Sequence, residues 1–290
     1  MLAACGQTFR SAIQKQSNAQ MGTYGSAFVR FFYGLLPSLV LLLVIIDLDK
    51  LLSFIPAKTF MFWLLIASLG QIVFTVILGF AMTRKNFGTT IALSKTDAMQ
   101  AAIFEMLFLS IYPDFQVAFA ITIGLCAILV IASVVDDSAS PGWIARLESV
   151  SLGLAAGLCL GLCSVLFRVA MEALPGFDFI ERAILTSSMA TIAQTLAMGS
   201  YLAVFKPIQL RSCLRDWKLG ALVGIVAATT TFMWFTAFGL MNVSSVRMLG
   251  QIEIVLSFFV TFWLFRERVQ IKELIGAAMI ITSIIILLSK

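Results

Sequence analysis

Long apolar runs separated by short polar connections set the pattern of this chain. They cover roughly 24–46, 59–81, 88–109, 115–135, 149–171, 183–204, 218–240, 243–265 and 271–289. Each approaches the roughly 20 residues a helix needs to cross a bilayer. The runs lack the alternation of barrel strands, and hydrocarbon cannot satisfy free backbone donors and acceptors, so the pattern predicts spanning helices. The longest connections, 136–148 ("DDSASPGWIARLE") and 205–217 ("FKPIQLRSCLRDW"), leave no room for a soluble domain.

Residues 1–22 ("MLAACGQTFRSAIQKQSNAQMG") break the pattern. Six fairly apolar residues precede a polar, helix-prone stretch. No charged n-region precedes an apolar core with a cleavage site, so this is not a signal peptide. It reads as the second half of a spanning helix, with two explanations left open: a natural start upstream of Met1, or incomplete insertion.

Composition agrees with the pattern. The chain is 60% hydrophobic and 12% charged, whereas soluble domains are about half apolar and a quarter charged. The net charge of +5 comes from basic residues in short loops, which orient helices in a membrane and do not form a nucleic-acid surface. One set of loops holds most of these charges and is predicted to be cytoplasmic. The five cysteines suggest no disulfide framework, and Cys159 and Cys163, four apart on one helix, have no histidine in the chain to help them hold a metal. No metal site or cofactor is expected.

A shift of 156 positions lays "NFGTTIALSKTDAMQAAIFEMLFL" (86–109) over "NVSSVRMLGQIEIVLSFFVTFWLF" (242–265). Asn86 falls on Asn242, Leu93 on Leu249, Lys95 on Gln251 and Asp97 on Glu253. Further matches place Arg10 beside Arg168 and 123–133 over 275–285. The chain therefore reads as an all-α polytopic membrane protein with a first repeat at 1–135, a link at 136–148 and a second repeat at 149–290. With 1–22 counted as a shortened first helix, each repeat holds five helices and there are ten in all. An odd number inverts the second repeat, a pattern that places a site at the interface of the two halves.

Helix geometry puts Thr90, Ser94, Asp97, Ala101 and Glu105 on one face, and their partners Val246, Gly250, Glu253, Ser257 and Thr261 on another. A small, polar stripe on a membrane helix faces other helices or water. Asp97 and Glu253 sit near mid-membrane, where an ionised group costs at least about 2.5 kcal/mol. They are candidates for binding a proton or a cationic group, against the plainer reading of a polar clamp between the halves. Lys95 points about 200° away from Asp97 and must meet another helix or snorkel. Gln71, Gln251, Ser94 and Ser257 complete the candidate pathway. Arg10 and Arg168 are candidates for holding an anionic group or pairing with the acids. Arg30, Arg182 and Arg247 read as interfacial anchors or snorkelling groups. Gly153, Gly157 and Gly161 recur every four residues and predict close helix packing.

The segment "LFRERVQIKELIGAAMIITSIIILL" (264–288), with Glu267, Arg268, Gly276 and Ala277, resembles the close of an EamA repeat in the drug/metabolite transporter superfamily. The resemblance implies ten helices, a central cavity between the halves and export of small metabolites, amino acids or drugs. It also implies both termini inside, whereas the loop charges put them outside. "IYPDF" stands in the first repeat where the second keeps "FRERV". No Walker motif is present, so ATP does not drive transport. The expected function is thus secondary active transport across a bacterial inner membrane by alternating access, with protons as a candidate coupling ion, a small-molecule substrate and the bilayer as partners, and no catalysis. A membrane-embedded lipid-processing enzyme and a non-transporting scaffold are the alternatives.

Overall fold

The computed structural model describes residues 2–83, 87–137, 143–260 and 271–289, and their regular structure is entirely helical. The asymmetry of each helix is that of a protein dissolved in lipid. On the last helix, α13 (Ile271–Leu288), the buried face carries Gly276, Ala277, Ile280, Ser283, Ile284 and Leu287. Its exposed face carries Ile271, Leu274, Ile275, Ile281, Ile285 and Leu288. Both faces are apolar, and the small residues lie inward where helices must approach. Across the chain, polar side chains concentrate in the interior instead of on the surface.

Seven helices among the described residues are long and apolar enough to cross a membrane, and the chain is a multi-pass integral membrane protein. They are the later part of α1 (Leu2–Ile45), α3 (Lys58–Ala81), α6 (Phe115–Asp137), α7 (Trp143–Glu172), α8 (Phe179–Phe205), α10 (Trp217–Leu240) and α13. Two further predicted runs each begin as a pair of short helices. The run at 88–109 is α4 (Phe87–Ser94) followed by α5 (Asp97–Phe108), about 30 Å of helix between them. The run beginning at 243 is α11 (Val243–Gly250) followed by α12 (Ile252–Val260), and residues 261–265 lie outside the described part.

α1 departs from the expectation of a half-length first helix. It turns at Gly22, whose φ of 75° and ψ of 169° break the helical path. Residues 2–21 form a helix about 30 Å long on one side of that turn. In space Gln7, Arg10, Gln14, Ser17 and Asn18 are all buried, three or four residues apart along one inward stripe.

The connection at 205–217 is not irregular: α9 (Pro207–Arg215) runs through it. Ile208 and Leu214 are exposed, as are Arg215 and Lys206, while Cys213 is buried. That mixture suits a helix lying in the membrane interface. Gln209 Oε1 accepts a hydrogen bond of 3.0 Å from the Gly25 N–H, and Tyr33 Oη donates to the Cys213 carbonyl at 3.1 Å. α9 is thereby fastened to the start of the second part of α1. The short α2 (Leu48–Leu52) follows α1 near the other surface, where Lys50 Nζ pairs with Glu181 Oε2 at 2.5 Å.

The largest core cluster joins α3, α7, α8 and α10 through Phe60, Leu64, Phe74, Phe167, Ile184, Phe235 and Phe238. A second cluster joins α1 to α8, α9 and α10 through Phe28, Phe31, Met198, Cys213 and Val223. α6 and α13 meet through Ile128, Ile131, Ile280 and Ile284.

α7 crosses the junction of α4 and α5 on its glycine stripe. A Cβ on Gly157 would lie 2.9 Å from Thr96 Oγ1 and 3.0 Å from the Ser94 carbonyl oxygen. A Cβ on Gly161 would lie 3.0 Å from the Asp97 carbonyl oxygen and 3.2 Å from the Ala101 nitrogen, and Gly153 sits against Thr90 and Leu93 in the same way. At Gly161 the two nearest atoms are both main-chain, so backbone packs on backbone there with no flexible side-chain end to yield. Gly161→Val is expected to destabilise by about 1–3 kcal/mol through overpacking, read as a lowered thermal midpoint in detergent. Gly176→Ala, with nothing within 4 Å, should leave the midpoint unchanged. Equal midpoints for both variants would show that the helices are not in this close contact.

Candidate functional site

The site grows from two breaks in helical hydrogen bonding. At the end of α4, Lys95 N–H bonds to the Ala92 carbonyl at 3.0 Å and Thr96 N–H to the Leu93 carbonyl at 3.1 Å. These are three-residue spacings, tighter than an α-helix. Ser94 and Thr96 turn their hydroxyls back onto the carbonyls of Ile91 and Leu93, at 2.7 and 2.8 Å. The second break is at Gln251, whose N–H bonds to Met248 at 3.1 Å while its carbonyl accepts from Ile254 at 2.9 Å. The side chain of Gln251 then donates to the Lys95 carbonyl at 3.3 Å. The two breaks lie at positions that the 156-residue shift superposes, and they touch.

Charges bridge the same junction crosswise. Lys95 Nζ meets Glu253 Oε2 on α12 at 2.5 Å. Arg247 Nε on α11 stands 3.6 Å from Asp97 Oδ2 on α5. Neither acid faces lipid, and all four side chains are at least four-fifths buried. Arg247 also donates through Nε to Ser164 Oγ on α7 at 3.1 Å and through its terminal nitrogen to the same oxygen. Its guanidinium lies 4.9 Å from the Trp234 ring centre and 5.3 Å from that of Phe238. Asp97 Oδ1 is buried without a hydrogen-bond partner.

The full face predicted on α4 and α5 is buried: Thr90, Ser94, Asp97, Ala101 and Glu105. Glu105 has a distinct task. Its Oε1 accepts from the Val243 N–H at 2.5 Å and its Oε2 from the Ser244 N–H at 3.1 Å. These donors open α11 and have no partner inside their own helix, and the carboxylate also sits at the positive end of that helix dipole. Val246, Gly250 and Glu253 are buried on the facing helices, whereas the side chains of Ser257 and Thr261 lie outside the described residues.

Beside this junction lies a chain of three polar chambers with shared walls. The central one, a narrow space of about 20 Å³ open to water-sized molecules, is walled by Arg10 and Arg30 of α1, Gln71 and Phe74 of α3, Ser164 and Phe167 of α7, Trp234 and Phe238 of α10, and Arg247. On one side Gln7, Phe74 and Leu160 separate it from a chamber bounded by Ser11, Ser94, Lys95 and Glu253. On the other, Arg30, Gln71 and Thr231 separate it from one bounded by Ser187, Thr191 and Gln194. Gln194 Nε2 donates to Gln71 Oε1 across this last chamber at 2.6 Å.

Several predicted residues meet here: Arg10, Gln71, Ser94, Lys95 and Glu253 line the chambers, and Asp97 and Gln251 stand behind them. Arg168 does not. It pairs with Glu172 one helical turn on, Nε to Oε1 at 2.8 Å, close to the end of α7. Ser164 and Phe167 take the inward face of that helix, which turns Arg168 away. The anchoring role assigned to Arg30 and Arg247 needs correction. Arg30 is 5% exposed and donates to Thr75 Oγ1 at 2.8 Å, facing the chamber it shares with residues of α3, α7 and α10. Arg247 is held by Asp97, Ser164 and two rings rather than by the interface. Gln7, Ser164 and Gln194 escaped sequence analysis. Spacing held a signal for the first, since Gln7, Arg10 and Gln14 repeat at helical intervals. Among the described residues no group of three or more His, Cys, Asp or Glu could hold a metal.

Residues 147–289 match the EamA-like transporter family. The chain belongs to that family, within the drug/metabolite transporter superfamily. No curated protein matches its sequence. One solved crystal structure superposes with a TM-score of 0.71 over 99% of this chain and 98% of the other, at 10% sequence identity, a likeness of fold alone.

Breaking one half of a buried ion pair strands the other charge, at about 3–5 kcal/mol, whereas replacing both partners with apolar groups is often nearly neutral. Lys95→Met and Glu253→Met should each lower the thermal midpoint markedly, and the double variant should recover most of the loss. A double variant whose loss equals the sum of the single losses would show that the two groups do not depend on each other.

Proposed function

We propose that the protein is a secondary active transporter that moves small metabolites, amino acids or drugs outward across a bacterial inner membrane by alternating access. The observation that carries this reading is the row of polar chambers inside a bundle whose outer surface is apolar. Membership of a transporter family supports it and favours a carrier over an enzyme.

The same reading takes the chain as two inverted repeats, 1–135 and 149–290, joined through 136–148 and making ten spans. Two features support that division. The superposed positions Lys95 and Gln251 are both helix breaks, and the first part of α1 with the two pairs of short helices would bring the seven continuous spans to ten. Discontinuous helices at equivalent places in two halves are a feature of carriers whose site lies at the repeat interface. In this scheme the crosswise pairs Lys95–Glu253 and Arg247–Asp97 tie the halves together in one state. Exchange of those partners accompanies the passage to the other.

Protons are the proposed coupling ion. The chain contains no histidine, so carboxylates would have to carry them, and Asp97 keeps one buried oxygen without a partner. Protein reconstituted in liposomes should move solute in response to an imposed pH gradient, and Asp97→Asn should flatten that response at least about tenfold while the protein still folds. Solute movement that ignores the gradient would remove the proton, and no movement of any solute in a broad panel would remove the carrier reading itself.

A further inference from the structure

The central chamber is charged on one side only. Arg10, Arg30 and Arg247 line it, and no carboxylate does among the described residues. The acids nearby are already engaged. Asp97 pairs with Arg247, Glu253 with Lys95, and Glu105 holds the first N–H groups of α11. Arg30 is bonded to a neutral hydroxyl, that of Thr75. Arg10 is 3% exposed, and its Nε is buried without a hydrogen-bond partner. It feels the attraction of Glu253, the carboxylate Lys95 occupies, and the repulsion of Arg247. Around the junction four cations, Lys95, Arg10, Arg30 and Arg247, therefore stand against three carboxylates, Asp97, Glu105 and Glu253, a surplus of one positive charge. A guanidinium held in this way, out of water and with one donor unmatched, is costly unless something anionic visits it.

We infer that the chamber is an oxyanion site and that the solute carried is a small organic anion. Its carboxylate or phosphate group lies between Arg10 and Arg30, whose planar forks match two oxygens at once. Its apolar body lies against Phe167 and Trp234, which wall the same space. Gln71, already oriented by Gln194, supplies a neutral donor beside the acidic group. This inference rests on the carrier reading for its transport part and on the chamber's geometry for its binding part, and the two can fail separately.

The test uses purified full-length protein in detergent at constant ionic strength, titrated with benzoate, phenyl phosphate, benzamide and benzylamine and read by calorimetry and thermal shift. At least one of the two anions is expected to bind and raise the thermal midpoint, while the neutral amide and the cation do neither. Arg10→Gln should weaken anion binding by about tenfold or more. Arg215→Gln, on the exposed face of α9, should not weaken it. If Arg10→Gln does not fold, Arg10→Lys carries the same test, because it keeps the charge and loses the fork, and it too should weaken binding about tenfold. Binding of benzylamine or benzamide as tight as that of the anions, anion binding untouched in the folded Arg10 variant, or no binding by any probe would each overturn the inference. Flux of the same probes in proteoliposomes separates it from the carrier reading. Anions that bind but never cross leave the site standing and sink the carrier. Neutral or cationic probes that cross while no anion binds leave the carrier standing and sink the site.

Discussion

Lys95 reaches across to Glu253 while Arg247 reaches back to Asp97, and the arrangement of the protein's interior follows from that exchange. In hydrocarbon no isolated charge persists cheaply, so each must find its opposite within the protein. Here the opposites sit on different helices. The charges that would make α5 or α12 unstable alone in the bilayer are answered across the junction, Asp97 of α5 by Arg247 of α11 and Glu253 of α12 by Lys95. The demand for pairing thus fixes which helices meet, and at what depth.

Pairing at that depth needs the helices to come unusually close and to bend. α7 allows the first with glycines at 153, 157 and 161, which let its backbone rest on that of α4 and α5. The tightened turns at Lys95–Thr96 and Gln251 supply the second, and the carbonyls they release are taken up by Ser94, Thr96 and Gln251. No polar backbone group has to be surrendered to lipid for the break to exist. Polar residues that look like interruptions of an apolar run are the parts that complete it.

Sequence reading matched six of the seven candidate spans to within about four residues, because burial in lipid writes itself into a continuous stretch of composition. It also found the polar face of α4 and α5, since a carboxylate in such a run has few innocent explanations. It misjudged residues whose fate depends on partners far along the chain. The polar residues of 2–21 look like interruptions of a shortened spanning helix until α10 and α3 are placed beside it, at Gly6 and Asn18. Arg30 and Arg247 look like interfacial anchors until Thr75, Asp97 and Ser164 are seen beside them. Glu105 gave no hint of its work, because its partners are main-chain groups 138 and 139 positions away. Arg168 was drawn in by its match with Arg10, although Glu172 lay one turn away.

The two bonds that Glu105 makes to the opening of α11 also bear on motion. Those N–H groups have no acceptor within their own helix and no water to turn to. A rearrangement that parted α11 from α5 would leave both bare in oil. The two helices are therefore obliged to travel as one piece, and any opening of the chambers has to occur along seams that leave this joint intact.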